Sequence, residues 1–203
     1  MDTLAFEQAR VLGCLIEKSM TTPEYYPMTV NALIAACNQK TNRDPVVEFG
    51  ESTVTEALGS LDRRGMIGVT RVSGGRALKY AHHAGASLRI DDEQLALVAV
   101  LLLRGPQTAA ELRARTERYS VFGSVQDSEE RLEDLMGRDL PLVERVDKEP
   151  GQKENRYRCL LIDPPATADL PTATSLEQRV AALEDALVEV LRRLESMEPV
   201  DLA

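Results

Sequence analysis

The sequence lacks several features that would assign a function directly. No stretch approaches the roughly 18 uninterrupted apolar residues of a membrane-spanning helix. Residues 1–4 contain neither a basic segment nor the apolar core of a secretory signal. The three cysteines, Cys14, Cys37 and Cys159, are far apart and form no CxxC pair. These absences favour a reduced, cytoplasmic protein with no membrane segment. Cys14 and Cys37 fall on apolar helix faces and are predicted to be small core residues.

Motifs of catalysis and cofactor binding are also missing. No phosphate-binding glycine loop stands out, because Ser73-Gly74-Gly75 has the pattern of a hairpin turn. No nucleophile–base motif is visible. The adjacent His82 and His83 alternate to opposite faces of a predicted strand, so they cannot ligate one metal ion together without distortion. We therefore expect a non-catalytic protein with no cofactor, no metal site and no catalytic residues.

Positive charge is scarce. The formal net charge is −9, from 24 Lys and Arg against 33 Asp and Glu. Residues 1–88 carry nine of each sign, residues 89–163 carry twelve basic and sixteen acidic side chains, and residues 164–203 carry three and eight. Proteins that bind nucleic acid nonspecifically usually have a basic balance, because they neutralise several phosphates. The charge argues against strong nonspecific binding but is compatible with a local basic face on residues 1–88.

What the chain does contain is one pattern repeated. A threonine begins a helical segment at 29–33 and again at 108–112, and a glycine turn closes a pair of short strand patterns at 73–75 and 149–151. Between them a second helical segment repeats its inward positions, which are Val54, Leu58 and Leu61 in the first copy and Ser128, Leu132 and Leu135 in the second. Three helices and a hairpin, repeated, predict a mainly α, α+β fold with two tandem winged-helix domains.

The first copy has clear element signals. A first helix is predicted at about 5–18, Thr29 is the expected N-cap of the second, and the third is expected to run from Gly50–Glu51 to a C-terminal glycine, Gly65. The hairpin strands are placed at 66–72 and 77–82. The loop at 38–49 is polar, is interrupted by Pro45, and is longer than its counterpart in the second copy. The fold alone therefore does not require this loop.

The second copy follows a small-residue linker at 84–87. Asp91 with Gln94 and Thr108 with Glu111 are predicted capping boxes. The third helix, at about 125–137, is expected to pack through Val125 and later leucines, and the second hairpin is placed at 142–147 and 155–162. The predicted organisation is a winged-helix domain at 1–86, a second at 89–162, a proline-rich linker at 163–174 and an amphipathic coiled-coil helix at 175–198.

The last helix carries a heptad repeat. One core position of the repeat is filled by Leu176, Leu183, Val190 and Met197, and the other by Val180, Leu187 and Leu194. The pairs Arg179–Glu184 and Arg193–Glu198 fall where side chains meet across a parallel two-stranded coil. A stripe only two positions wide suits a partner helix, which favours a homodimer. The alternative is that the helix packs on its own protein.

Three blocks of the chain resemble a known bacterial family. These are YPMTVNALIAACNQKTNRDPV at 26–46, LRGPQT at 103–108 followed by Glu111, Leu112 and Arg113, and EPG at 149–151 followed by Arg156 and Tyr157. Residues 5–162 resemble the YceH-like family, which implies two winged-helix domains and a bacterial cytosolic protein, and implies no activity. Gly50 departs from the capping Ser or Asp that relatives commonly have, which costs only tenths of a kcal/mol.

Candidate nucleic-acid contacts all fall in the first copy. Lys40 and Arg43 flank the turn before the presumed recognition helix, and Arg76 and Lys79 fall on the hairpin, two places that lie near the nucleic-acid backbone in winged helices. The complete set comprises Lys40, Asn42, Arg43, Ser52, Thr55, Arg63, Arg76 and Lys79. The alternative is that these are ordinary solvated side chains.

The matching helix of the second copy has a different surface. Its predicted outward residues include five carboxylates, Asp127, Glu129, Glu130, Glu133 and Asp134. Phosphate would repel them, so this helix is not expected to read DNA. It could meet a basic protein surface, but the favoured alternative is that it is an ordinary solvated face. Two hypotheses follow. The leading one is a regulator that docks on double-stranded DNA through the first domain and is dimerised by its tail. The alternative is a protein-interaction scaffold that does not bind nucleic acid, with an unknown protein partner on the second domain.

Overall fold

The computed structural model describes residues 3–71, 77–119, 122–148 and 154–162. These residues belong to one unit, Met1–Asp163, while a second unit comprises Pro164–Ala203. The predicted linker at 163–174, the heptad helix at 175–198 with its seven core residues, and Arg76 lie outside the described residues. The homodimer prediction therefore stays a prediction.

The first half of the described unit contains three helices and a hairpin. The helices and strands are α1 (Phe6–Thr21), α2 (Val30–Cys37), α3 (Glu51–Arg63), β1 (Ile67–Arg71) and β2 (Leu78–His82), with a short 3-10 helix at Pro23–Tyr25. The antiparallel strands pair from Ile67 opposite His82 to Arg71 opposite Leu78.

The second half repeats this order after one extra helix. Its elements are α4 (Ala84–Leu88), α5 (Asp92–Arg104), α6 (Ala109–Thr116), α7 (Val125–Met136), β3 (Val143–Val146) and β4 (Arg156–Cys159). The prediction of a linker at 84–87 is wrong: these residues lie in α4. The physical reason is that Ala84 and Leu88 both bury their side chains in the core, which holds the segment as one helical turn.

The capping signals produce the predicted boundaries. The Thr29 hydroxyl accepts a hydrogen bond from the Ala32 amide at 3.3 Å. Asp91 and Thr108 both form complete capping boxes. Gly65 has a positive φ of 67° after α3, a conformation that costs glycine little. The predicted fold class, mainly α with two small antiparallel hairpins, is confirmed.

Each hairpin is joined by a third short segment at an equivalent position. Met28, just before the cap of α2, exchanges backbone hydrogen bonds with Tyr80 on β2 at 3.0 and 2.8 Å. Gln107, just before the cap of α6, makes the same exchange with Tyr157 on β4 at 3.0 and 2.7 Å. The two halves therefore share not only an order of elements but also a way of attaching the hairpin to the helices.

The two halves meet through α1 and α5. Both helices are buried on nearly every side, α5 from Leu95 to Leu103 without interruption, which is the pattern of a helix packed between two layers. Gly13 on α1 permits the close approach: a β-carbon there would lie 2.9 Å from Leu103 Cγ and 3.2 Å from Leu102 Cβ. A backbone hydrogen bond of 2.6 Å from the Leu4 amide to the Leu161 carbonyl also joins the halves.

One predicted core position of α7 is wrong. Val125 is 37% exposed, whereas α7 buries Ser128, Leu132 and Leu135. Val125 is the first residue of the helix, directly after the Ser124 cap, and the inward face begins one turn later with Ser128. The Ser128 hydroxyl donates to the Val125 carbonyl at 2.6 Å, which satisfies it within the core.

Candidate functional site

The loop at 38–49 is attached to the core by Arg43. The Arg43 side chain is fully buried and uses all five of its N–H donors. Two N–H groups bind Glu17 on α1 at 2.6 and 3.3 Å. The others donate to the Ala36 carbonyl at 3.0 Å, the Asn42 carbonyl at 2.8 Å and the Gln39 side chain at 3.1 Å. The guanidinium is thus completely satisfied inside the protein.

The expectation that Arg43 offers its charge to a phosphate is therefore wrong. Its partner Glu17 has only 3% of its side chain exposed, so the loop brings the cation to a buried carboxylate instead of to solvent. Burial alone would raise the pKa of the Glu17 carboxyl. The hydrogen bonds and charge of Arg43, helped by Lys18 at 3.2 Å, hold that pKa below its ordinary value. The pair is consequently ionised at neutral pH.

Asn42 links the same loop to the second half. It has a positive φ of 59°, a conformation that asparagine tolerates better than most residues. Its side-chain oxygen accepts a hydrogen bond of 3.0 Å from Arg104 at the end of α5. Next to it, the Asp44 amide donates to the Leu103 carbonyl at 2.9 Å. The loop that the repeat does not require is therefore a connection between the two halves.

Arg10 on α1 contacts the chain just before this loop and again within it. It is fully buried, donates to the Cys37 carbonyl at 3.3 Å and the Pro45 carbonyl at 2.8 Å, and lies 5.2 Å from the centre of the Phe6 ring. Cys14, one turn further along α1, is also a buried thiol. Interaction with the Cys14 thiol, followed by burial, raises the pKa of the Cys37 thiol, so Cys37 is a neutral core group.

The other predicted nucleic-acid contacts that the structure describes are more exposed to solvent than Arg43, which is buried. Lys40, Ser52, Thr55 and Arg63 are exposed and Lys79 is half-buried. Thr55 and Arg63 line an open groove of about 700 Å³ between α1 and α3, together with Glu7 and Glu56. The exposed face of α3 also carries Glu51 and Asp62. Two of these candidates therefore share a surface, but carboxylates lie beside them.

The exposed face of α7 is strongly acidic. A second groove of about 470 Å³ runs along it, and its lining includes Glu93, Asp127, Glu130, Glu133 and Asp134. Arg131 is the basic residue of that lining, and it is bound to Glu93 at 2.8 Å and to Asp134 at 3.6 Å. The positive charge in the groove is thus already paired, and the surplus charge is negative. The structure agrees with the sequence here: the predicted outward carboxylates of α7 are all exposed.

A serine–histidine contact was not found by sequence reasoning. The Ser19 hydroxyl lies 2.9 Å from His82 Nε2 and also donates to the Ile16 carbonyl at 2.8 Å. Because the Ile16 carbonyl accepts the hydroxyl proton, we assign His82 Nε2 as the donor to Ser19 and Nδ1 as the unprotonated nitrogen. Within the described residues Nδ1 is buried without a hydrogen-bond partner. This arrangement is a clamp between α1 and β2 and is unsuited to activating a nucleophile, which needs an oriented base.

The His82 clamp predicts a loss of stability in mild acid. Burial, followed by the charge of His83, lowers the pKa of His82, and Asp92 opposes this only in part. The unfolded chain then binds more protons than the folded chain once the pH falls below the ordinary histidine value of about 6.5. We expect the free energy of unfolding in urea to be lower at about pH 5.5 than at about pH 7.5.

The neighbouring histidine provides a matched control for this effect. His83 is exposed, so His83→Gln removes the smaller cause of the shift and should leave the larger part of the pH dependence, which comes from the burial of His82. His82→Gln should flatten the dependence between the two pH values, because it removes the group whose protonation differs between the two states. Equal pH dependence in both variants would contradict the assignment.

No metal cluster or membrane helix accompanies these features in the described part of the chain. None of its groups of His, Cys, Asp and Glu brings three or more side chains together in a way that could hold a metal ion. No helix among these residues is both long enough and apolar enough to cross a membrane. Cys14, Cys37 and Cys159 are all buried free thiols.

Together these features describe a mainly helical α+β protein. Its two copies of one helix–hairpin pattern are joined by α1, α5 and the loop at 38–49. Residues 4–152 match the model of a family described as "Protein of unknown function, DUF480". The chain belongs to this family.

Relatives cover nearly the whole chain. A "UPF0502 protein" of Geotalea uraniireducens is 48% identical over 188 residues, which cover 88% of this chain and 85% of the relative. "UPF0502 protein mll4256" of Mesorhizobium japonicum is 43% identical over 198 residues and covers 94% of both chains. A "UPF0502 protein" of Shewanella oneidensis is 40% identical over 215 residues, covering 96% of this chain and 97% of the relative. The motif blocks at 26–46 and 103–108 fall within the matched family region.

Proposed function

We propose that this chain is a non-catalytic tandem winged-helix protein of the bacterial cytoplasm that works by binding a positively charged protein partner. The winged-helix assignment is supported by the repeated order of three helices and a hairpin. It is also supported by the equivalent backbone bridges Met28–Tyr80 and Gln107–Tyr157, which attach the segment before the second helix of each copy to its hairpin.

The observation that carries the proposal is the charge on α7. In a winged helix the helix before the hairpin is the one that enters a DNA groove. Here that helix presents five exposed carboxylates, and its one arginine is already paired with Glu93 and Asp134. Duplex DNA would repel such a face, whereas lysine and arginine side chains of a protein would be attracted to it.

Docking of double-stranded DNA through the first half is the second candidate. It is favoured by the exposed Ser52, Thr55 and Arg63 on α3 and by Lys40 in the preceding loop. It is weakened because Arg43 and Asn42 are engaged inside the protein. Loss of DNA binding in an Arg43 variant would be uninformative, since that residue holds the loop in place. Lys40 and Arg63 are the informative positions.

Two titrations separate the candidates. A Lys- and Arg-rich synthetic peptide should bind the full chain at about 50 mM salt, where charge attraction is weakly screened. Glu130→Gln with Glu133→Gln should weaken it by about tenfold, whereas the matched pair Glu51→Gln with Glu56→Gln on α3 should not. Equal effects of the two pairs, or no binding, would overturn the proposed role of α7.

The DNA titration uses the same buffer. The proposal predicts no complex with duplex DNA at tens of micromolar protein, although nonspecific dissociation constants of about 10⁻⁴–10⁻⁶ M are typical of DNA-binding proteins even at physiological salt. A complex that is weakened by Lys40→Glu with Arg63→Glu, and whose salt dependence becomes shallower by roughly one unit per lost contact, would instead support the second candidate.

A further inference from the structure

A small cleft lies where α1, the loop at 38–49, α5 and α6 meet. Its lining includes three guanidinium groups, from Arg104, Arg115 and Arg118, beside Glu17 and the Tyr119 ring. The free volume is about 10 Å³, which corresponds to one water-sized group. The cleft is distinct from the acidic groove on α7, and an inference about it does not rest on the proposed protein partner.

Carboxylates around this cleft are outnumbered. The Glu17 carboxylate contacts Arg43 at 2.6 Å and Lys18 at 3.2 Å. Arg118 contacts the same carboxylate at a longer distance, 3.6 Å. Glu111 is shared between Arg156 at 3.1 Å and Arg115 at 3.6 Å. With Asp44, whose charge raises the pKa of Arg104, the described residues place three carboxylates among six cations, namely Lys18, Arg43, Arg104, Arg115, Arg118 and Arg156. The local charge is therefore positive in a chain whose net charge is negative.

Arg104 and Arg115 both line the cleft, and each is a like charge to the other. Burial and then the charge of Arg115 lower the pKa of Arg104, while Asp44 and Glu111 act in the opposite direction. Arg115 Nη1 is buried and has no hydrogen-bond partner within the described residues. Its contact with Glu111, at 3.6 Å, is too long for a hydrogen bond. An unsatisfied buried donor beside a like charge is costly, and an oxyanion would relieve both problems.

We propose that this cleft binds the terminal oxyanion of inorganic phosphate or of a phosphate monoester. One oxygen enters the water-sized space and accepts from Arg115 Nη1, and the remaining oxygens stay at the mouth beside Arg118. The Arg118 side chain is 57% exposed, and its ion pair within the described residues is the 3.6 Å contact with Glu17, so it can turn toward an incoming ligand. Planar guanidinium groups match the geometry of phosphate oxygens, and the surplus of positive charge favours a dianion over a carboxylate.

Binding is best measured directly on the full chain. Inorganic phosphate, glycerol phosphate and acetate are titrated separately by calorimetry, at one ionic strength and about pH 7.5. We expect both phosphates to saturate with a dissociation constant below about 1 mM, and acetate to give no saturating signal. Tight binding of glycerol phosphate alone identifies an organic phosphate as the ligand, and equal binding of both identifies the phosphate group itself.

Matched arginine variants test the position. Arg115→Gln should weaken phosphate binding by about tenfold or more, since a charge-assisted hydrogen bond is lost. The exposed Arg145 on β3 provides the control, and Arg145→Gln should leave the affinity unchanged. Arg118→Gln is a second test. Because the Arg118 side chain is mostly exposed, we expect this variant to fold even if Arg115→Gln unfolds the protein. Equal affinities in Arg118→Gln and Arg145→Gln, saturation by acetate, or no saturation by either phosphate up to about 10 mM would each overturn the proposal.

Discussion

Replacement of Arg43 by methionine is expected to lower the free energy of unfolding by about 3–5 kcal/mol, the usual cost of removing one partner from a buried ion pair. Methionine fills a similar volume but leaves the Glu17 carboxylate buried without its bidentate partner. It also leaves the Ala36 carbonyl without the donor supplied by Arg43 Nε. Urea unfolding measures the change, because urea, unlike guanidinium, does not screen the ion pair.

The double variant separates the ion pair from general damage. Glu17→Gln with Arg43→Met should be more stable than the sum of the two single losses predicts, since the second change removes the charge that the first left unpaired. Arg63→Met on the exposed face of α3 is the matched control and should change stability by less than about 0.5 kcal/mol. A loss below about 1 kcal/mol in Arg43→Met would mean that Glu17 and Arg43 are not buried as described.

Arg43 shows that a basic residue in a polar loop can serve the fold and not a ligand. From sequence, Arg43 in a polar loop before α3 has the pattern of a phosphate contact. The structure uses it to attach the loop to α1. A signal was present in α1 itself, because Arg10, Cys14 and Glu17 follow the spacing i, i+4, i+7 and so share one helix face. Two charged residues and a cysteine on one face of a helix whose other face is apolar indicate a buried polar network.

The local structure was predictable because its causes are local. Thr29, Asp91 and Thr108 fix helix starts through hydrogen bonds to residues three positions away. The hairpins follow from short strand patterns around turns, and both are observed within the predicted segments. The helix at 84–88 was missed because its stability comes from the burial of Ala84 and Leu88 against other parts of the chain, which local pattern does not report.

The packing of one half on the other depends on residues far apart in the sequence. The apolar segment of α5 is visible in the sequence, but its partners across the fold are not. Residues 95–103 of α5 are all buried, which the uninterrupted apolar run of this segment permits. The contribution of the loop at 38–49 depends on which residues face it across the fold: Asn42 meets Arg104 and the Asp44 amide meets Leu103. Sequence spacing cannot supply those partners, so the candidate phosphate cleft became visible only in three dimensions.

Substitution of Gly13 by leucine is expected to destabilise the protein by about 3 kcal/mol or more. Overpacking of a filled core costs about 1–3 kcal/mol and occasionally more. Here even the first added carbon would lie 2.9 Å from Leu103 Cγ and 3.0 Å from Leu103 Cδ2. Leu103 is itself buried at 2% exposure, so it has little room to move. The helices α1 and α5 must separate to accept the new side chain, which weakens the main contact between the two halves.

Gly59 on α3 provides the matched control, because it also lies inside a helix. A β-carbon added there would meet only the end of the Arg63 side chain, at an ordinary distance of 3.6 Å. Gly59→Leu should stabilise the protein by up to about 1 kcal/mol, since leucine favours the helix more than glycine does. Adding Leu103→Ala to Gly13→Leu should recover part of the loss, because it empties the space that the new side chain needs. Urea unfolding of these three variants and of the unchanged chain measures these differences. Equal changes in stability for Gly13→Leu and Gly59→Leu would contradict the close packing of α1 on α5. The cleft at the junction of the two halves depends on that packing.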